Sequence, residues 1–84
     1  MDFKLSSYAQ KQLADRGIPF FLLEFVLNQP QQIYEEDVVQ VYQSQFDRSG
    51  KVQLLRGYVN ASVEPAVVVT IYVTSKIEKY WRTE

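Results

Sequence analysis

The pattern of hydrophobic residues changes at Pro30, and this change constrains the fold of the 84-residue chain more than any other feature. Before Pro30 the sequence carries the capping and breaking residues of two helices, whereas after it valines and aromatic residues recur in strand-like runs. Helices followed by strands are typical of an α+β domain. Since a chain this short can enclose only one small core, we expect a single domain over residues 1–84.

Cap and turn residues set the expected elements. We predict helices over residues 7–16 and 19–28, the first with a capping box at Ser7 and Gln10 and a left-handed exit at Gly17. The expected strands are a short piece at 33–34 and longer runs over 38–46, 51–60 and 66–74, with a hairpin at 47–50 and a turn at 61–65. Residues 75–83 form either a short helix or a packed tail. The prediction is therefore two helices packed on a three- to four-stranded, mainly antiparallel sheet.

Strand alternation sorts the side chains into two faces. The face expected to pack on the helices holds the aliphatic residues Val39, Val41, Leu55, Val59, Val67, Val69, Ile71 and Val73. The opposite face is expected to collect Tyr42, Arg56, Tyr58, Thr70 and Tyr72. This aromatic face would either stack bases and hold a phosphate, or be an ordinary half-exposed sheet face on which Arg56 lies over tyrosines.

Composition excludes several kinds of catalytic site. The chain has no cysteine and no histidine, so a disulfide framework, a zinc-thiolate site, a cysteine nucleophile and a histidine base are all excluded. The acidic run 35–37 is interpreted as a turn, because a divalent cation needs more oxygen ligands in a fixed shell. We expect no metal and no cofactor. Metal-free RNA cleavage would have to use the side chains of Arg56, Tyr72, Tyr80, Lys76 and Lys79.

The charge is uneven along the chain. Residues 1–50 carry four basic and seven acidic side chains, whereas residues 51–84 carry five and three, within a net charge of −1. A small positive patch near the C-terminus would bind RNA weakly and at one place, or would simply be a solvated tail.

The second predicted helix is apolar on every side, because Glu24 is the only polar residue between Phe20 and Leu27. Such a helix has to be covered all round. Either Tyr80 and Trp81 fold back over it, or Phe20, Phe21 and Phe25 meet another chain in a homodimer or with a partner protein.

Several short segments occur in a familiar order: 7–9 (Ser-Tyr-Ala), 16–18 (Arg-Gly-Ile), 26–30, 54–56 (Leu-Leu-Arg), 68–72 and 74–81. In this order the chain resembles, over nearly its whole length, the bacterial domain-of-unknown-function family 4258. That family is similar to the RelE/ParE-like toxins, near the BrnT toxins.

The resemblance implies two helices on an antiparallel sheet and a toxin that acts on RNA or the ribosome without metal, paired with a small antitoxin-like protein. Arg56 would hold a phosphate, Lys76 and Lys79 would steer RNA, and Tyr72 or Tyr80 would stack on a base or transfer a proton. Tyr42 and Tyr58 would add to the RNA-binding surface. The alternative is a non-enzymatic interaction module that binds protein through the second helix or the tyrosine face.

The N-terminus lacks the basic start and long apolar run of a signal peptide. The apolar stretches are far shorter than the ~20 residues that cross a bilayer. We therefore expect a cytoplasmic protein without a membrane segment.

Overall fold

The computed structural model describes residues 2–83, which form a five-stranded mixed sheet and three helices. In chain order the elements are β1 (Phe3–Leu5), α1 (Ser7–Asp15), α2 (Phe20–Asn28), β2 (Gln32–Glu36), β3 (Val39–Arg48), β4 (Lys51–Asn60), β5 (Ala66–Thr74) and α3 (Ile77–Tyr80). The strand order is β1-β5-β4-β3-β2, with β1 parallel to β5 and the other pairs antiparallel. The α+β class is as predicted, but the sheet has one strand more, the three-residue β1.

The helix ends lie within one residue of the predicted ones. The N-cap of α1 is Ser6, whose Oγ accepts a hydrogen bond of 3.0 Å from the N–H of Ala9, so the predicted capping box at Ser7 is wrong. Gly17 has φ 62°, which confirms the left-handed exit from α1. Pro19 is the N-cap of α2, which begins at Phe20.

The strands β4 and β5 have the predicted bounds, and β3 extends to Arg48. The β3–β4 turn is a two-residue connection of type I′, since Ser49 and Gly50 both have positive φ, 55° and 80°. The carboxylate of Asp47 accepts a hydrogen bond of 2.9 Å from the N–H of Gly50 and holds the turn.

A β-bulge at Val69 changes which residues of β5 face the helices. Thr70 pairs with Tyr58, but Val68 rather than Val69 pairs with Val59, so Val69 is an extra residue. Ile71 and Val73 are in the helix-side core as predicted, and Val68 joins them. The predicted burial of Val67 and Val69 in that core is wrong, because one inserted residue reverses the alternation on its N-terminal side.

Buried residues of α1, α2, β4 and β5 form one apolar cluster with Ile18 of the α1–α2 connection. Its members are Ala9, Ile18, Leu23, Val26, Leu27, Leu55, Val59, Val68, Ile71 and Val73. Helix α2 lies close over β4, because a Cβ atom added at Gly57 would be 3.4 Å from a methyl group of Leu27. Glycine at this position lets the helix and the strand approach each other.

The edge of β5 is closed by side chains as well as by β1. Strand β1 pairs only with Ala66–Val68. Beyond this pairing, the Ser6 Oγ donates to the carbonyl of Val69 (2.8 Å). The amide oxygen of Gln12 then accepts from the N–H of Ile71 (2.8 Å), and the guanidinium of Arg16 donates to the carbonyl of Val73 (3.4 Å). These bonds satisfy an edge that would otherwise be free to pair with another strand.

Candidate functional site

Arg56 is buried on the sheet face opposite the apolar cluster, which we call the Arg56 face. Its neighbours in register are Gln43 on β3 and Tyr72 on β5, and its exposed fraction is 1%. The predicted side of the sheet is confirmed for Arg56 and Tyr58. The prediction of a solvent-exposed guanidinium is wrong, because the Arg56 side chain is buried.

Every nitrogen of the Arg56 guanidinium has a polar neighbour. The Nε donates to the amide oxygen of Gln43 (2.9 Å), Nη1 to the hydroxyl of Tyr58 (2.6 Å) and Nη2 to the hydroxyl of Tyr34. The nearest carboxylate, that of Glu36, is 3.9 Å away on a side chain that is 46% exposed. The charge is thus held mainly by neutral oxygen atoms.

The C-terminal strap, which we define as residues 76–83, covers this guanidinium. The ring centroid of Tyr80 is 4.2 Å from the Cζ of Arg56, and the guanidinium of Arg82 is 3.8 Å from the ring centroid of Tyr34. Both are cation–π contacts. Tyr80 therefore lies on the Arg56 face and does not cover the second helix, so of the two alternatives for that helix the fold-back of Tyr80 is wrong.

Tyr42 lies on the other face of the sheet. It pairs with Gly57 and packs against the apolar cluster, while its neighbours Val41 and Gln43 pair with Tyr58 and Arg56. The predicted faces of β3 are therefore reversed for Val41 and Tyr42. Tyr42 is not part of a common surface with Arg56.

Tyr72 and Tyr80 meet at the edge of the Arg56 face. Their ring centroids are 5.6 Å apart in an edge-on arrangement, the Cζ of Arg16 is 5.9 Å from the Tyr72 ring, and the Nζ of Lys79 is 5.5 Å from the Tyr80 ring. We call Arg16, Tyr72, Lys79 and Tyr80 the Tyr72 group. Hydrogen bonding from Tyr80, and then from Thr74, lowers the pKa of the Tyr72 hydroxyl, and the charges of Lys79 and Arg16 add to this effect.

Tyr58 has the opposite electrostatic environment. Burial raises the pKa of its hydroxyl, and the Arg56 guanidinium opposes this only in part. Tyr72 is therefore the tyrosine better suited to accept a proton.

Three members of the Tyr72 group are predicted site residues, but Arg16 is not. The spacing of Gln12 and Arg16 is a signal that would have indicated it, because residues four apart lie on one helix face and both reach the β5 edge. Lys76 is exposed, and its ammonium group has no hydrogen bond or ion pair within residues 2–83. Its carbonyl accepts a hydrogen bond of 3.3 Å from the N–H of Lys79, but its ammonium group is not joined to Tyr58 or Tyr42 by any contact within the described residues.

The outer side of α2 is exposed. Phe21 is 71% exposed, Phe20 and Phe25 about half, and Phe20 also stacks on Phe3 with centroids 6.1 Å apart. The carboxylate of Glu24 lies among them and forms no ion pair within the described residues. We call Phe20, Phe21, Glu24 and Phe25 the α2 aromatic face.

A groove continues from this face. Its apolar lining comes from Ile18, Pro19, Phe21, Leu22 and Phe46. Asp47 and Arg48 also line it. The Arg48 guanidinium is held there by the carbonyls of Arg16 and Gly17, at 2.7 and 3.1 Å.

The acidic run is divided between a strand and a turn, so the predicted turn is wrong for its first two residues. Glu35 and Glu36 belong to β2, and Asp37 is in the following turn with φ 58°. Within residues 2–83 no three acidic side chains lie together as metal ligands would. In the same part of the chain, no helix has the length and apolar character needed to cross a membrane.

Comparison with protein-family models, curated protein sequences and solved structures gave no match for this chain. Two surfaces remain from which function can be inferred, the α2 aromatic face and the Tyr72 group.

Proposed function

We propose that the protein is a binding module that takes an amphipathic helix of a partner protein on the α2 aromatic face. The observation that supports this proposal is the exposure of three phenylalanine side chains on one helix of so small a domain. Contiguous apolar surface of this kind is typical of interaction sites.

The shape of the face favours a helical partner. Phe20 with Glu24 and Phe21 with Phe25 form two ridges of residues four apart, into which the side chains of a second helix can pack. A nine-residue helix is about 13 Å long, so it would contact two to three turns of the partner.

Charge favours a different chain over a second copy. The three phenylalanine residues expose roughly 350 Å², less than half of the ~800 Å² that each side of a stable interface usually buries, so a partner of either kind would also have to contact the adjoining groove. An antiparallel pair of α2 helices would also bring Glu24, which forms no ion pair within residues 2–83, next to its own copy. A partner helix with an apolar stripe beside lysine or arginine would neutralise Glu24 and also enter the groove.

A synthetic 15-residue helical peptide with a leucine stripe flanked by lysines tests the proposal, with a leucine–glutamate version of the same pattern as its counterpart. The leucine–lysine peptide should bind the full chain, and Phe21→Asp should weaken it at least about tenfold, because a carboxylate would be buried without a partner. Val38→Asp, at a 91% exposed site away from α2, is the matched control and should leave binding unchanged.

Equal binding by wild type and Phe21→Asp, or equal binding of the two peptides, would contradict this proposal. Sedimentation gives the remaining outcome. If the chain is a dimer at micromolar concentration and Phe21→Asp dissociates it, the α2 aromatic face binds a second copy of the chain and the proposed partner helix is wrong.

A second candidate function, the RNA-cleaving activity implied by the resemblance to RelE/ParE-like toxins, is favoured by the Tyr72 group. The Tyr72 oxygen would take the proton of a ribose 2′-hydroxyl as general base. The ribose 2′-oxygen would then attack the adjacent phosphorus while the P–O5′ bond breaks, and the leaving O5′ would take a proton from Tyr80 or water. Arg16 and Lys79 would stabilise the added negative charge. An antitoxin-like partner would then be the source of the helix bound by α2.

Ribosome-dependent cleavage of messenger RNA by the purified chain tests this second candidate. Tyr72→Phe keeps the ring and removes the hydroxyl, so it should lower the cleavage rate about 10²-fold or more with little change in stability. Because the pKa of Tyr72 is lowered, the wild-type rate should rise with pH and level off below ~10, the ordinary tyrosine value.

Tyr8→Phe is the matched control, since Tyr8 is exposed on α1 and outside the Tyr72 group. Wild-type protein that neither cleaves RNA nor arrests growth on expression would remove the toxin-like function. Full activity of Tyr72→Phe would remove only the assigned base.

A further inference from the structure

We propose that Tyr80 occupies a nucleobase-stacking site on Arg56, and that the C-terminal strap lifts so that one unpaired nucleotide can take its place. The inference rests on the RNA binding of the second candidate function and names the part of the RNA that this surface would bind. Lifting the strap moves Tyr80 and Lys79 away from Tyr72, so the open form binds the nucleotide and cleavage belongs to the closed form.

The strap is held mainly by polar contacts. The side-chain amide of Gln32 donates to the carbonyl of Arg82 (2.6 Å) and accepts from its N–H (3.1 Å), as a paired strand residue would. The amide of Gln43 donates to the carbonyl of Tyr80 (3.2 Å). Helix α3 has only four residues and none is buried. Elements with little buried apolar surface open at low free energy compared with the rest of a domain.

The strap covers the flat side of the Arg56 guanidinium. The in-plane N–H groups are directed to Gln43 on β3, Tyr34 on β2 and Tyr58 on β4. These three strands remain in place when the strap moves. Departure of Tyr80 would therefore expose the face of a planar cation with its edges already bonded. An aromatic ring is the group that replaces Tyr80 there with the least loss.

A nucleotide fits this position better than a neutral aromatic ring. The nearest carboxylate to Arg56 is the half-exposed one of Glu36, at 3.9 Å, so the buried positive charge is poorly neutralised. Unpaired bases stack on arginine and tyrosine side chains, and their phosphates supply the missing negative charge. Base-paired nucleic acid has no free ring face to offer.

Replacement of the missing ring by a free nucleotide is the direct test. Tyr80→Ala in the full chain leaves a ring-sized opening over Arg56, and adenosine 5′-monophosphate is the probe. At about ten times its dissociation constant it should raise the Tm of Tyr80→Ala by about 5–10 °C. Wild type and Tyr80→Phe, whose ring has to be displaced first, should shift by less than about half as much at the same nucleotide concentration. Trp81→Ala is the matched control, since it removes the neighbouring half-buried aromatic residue of the same strap.

Gln32→Ala provides an independent test should Tyr80→Ala not fold. It removes the two strap bonds and one bond to Gln43 but no direct contact of Arg56, so modification of Arg56 by a dicarbonyl reagent should accelerate at least tenfold relative to Arg48. A short oligouridylate should slow that modification again. An unchanged Arg56 rate, an Arg56 that the oligomer does not protect, or an equal Tm shift in all variants would overturn the inference.

The same measurements separate this inference from the candidate function on which it rests. If the oligomer binds wild type and is cleaved but never protects Arg56, only the stacking site fails. If no variant binds the oligomer, both fail.

Discussion

At the scale of single residues, Arg56 shows how a charge is kept in the interior of a small domain. Its donors are matched one by one to Gln43, Tyr58 and Tyr34, and the Tyr80 ring covers its flat side. Removal of Arg56 would cost much stability, because each of these buried acceptors would then lose its donor. Arg56 is therefore a stabilising residue of the Arg56 face in the closed state.

Arg56→Ala should lower the free energy of unfolding by about 3 kcal/mol, because it removes a buried side chain and leaves Gln43 without its donor. Arg56→Met fills much of the same volume and should cost about half as much. Urea unfolding of both variants checks this order. Arg82→Ala, an exposed arginine that also stacks on a tyrosine, is the control and should cost less than about 1 kcal/mol. A loss of less than about 1 kcal/mol for Arg56→Ala would contradict the structural role.

This destabilisation also decides which variant tests RNA chemistry. Loss of activity in Arg56→Ala would follow from unfolding as well as from a lost phosphate contact. Tyr72→Phe leaves the core untouched and is the cleaner substitution.

At the scale of elements, the sequence predicts best where local chemistry leaves one choice. The β-branched run of β5 and the turn residues that bound β4 gave both strands their correct limits. Gly17 was predictable because the exit from a helix requires positive φ. Tyr72 and Tyr80, both predicted as site residues, are in ring contact, and their catalytic role stays a prediction.

Other features depend on partners that are distant in sequence. The bulge at Val69 is defined by how β5 pairs with β4, and no residue type in a run of valines marks it. The three residues of β1 are too few for alternation and become a strand only beside β5. Val41 and Tyr42 suit either face of a sheet, so their order was settled by the pairing of β3 with β4. Arg16 was missed for the same reason, since it meets Tyr72 only across the β5 edge.

At the scale of the whole molecule, one sheet separates two unlike layers. On one side, α1 and α2 share a continuous apolar cluster with β4 and β5. On the other side, the four-residue α3 and its flanking residues cover a charged and aromatic cluster by hydrogen bonds and ring contacts. Apolar burial contributes more stability than exposed polar contacts, so the two layers should differ in how readily they open.

Native-state hydrogen exchange in low urea should resolve this difference between the layers. The amides of Lys79 and Trp81, bonded within the strap to Lys76 and Ile77, should exchange through a local opening of low free energy that hardly depends on urea. The amides of β4 should exchange only through global unfolding, with the full urea dependence, because that strand is paired on both sides and buried on both faces. Phe21→Asp, on the far side of the sheet, should leave the free energy of the strap opening unchanged. Exchange of strap and β4 amides with one free energy and one urea slope would mean that the strap is part of the cooperative core, and that Arg56 is never presented to a ligand.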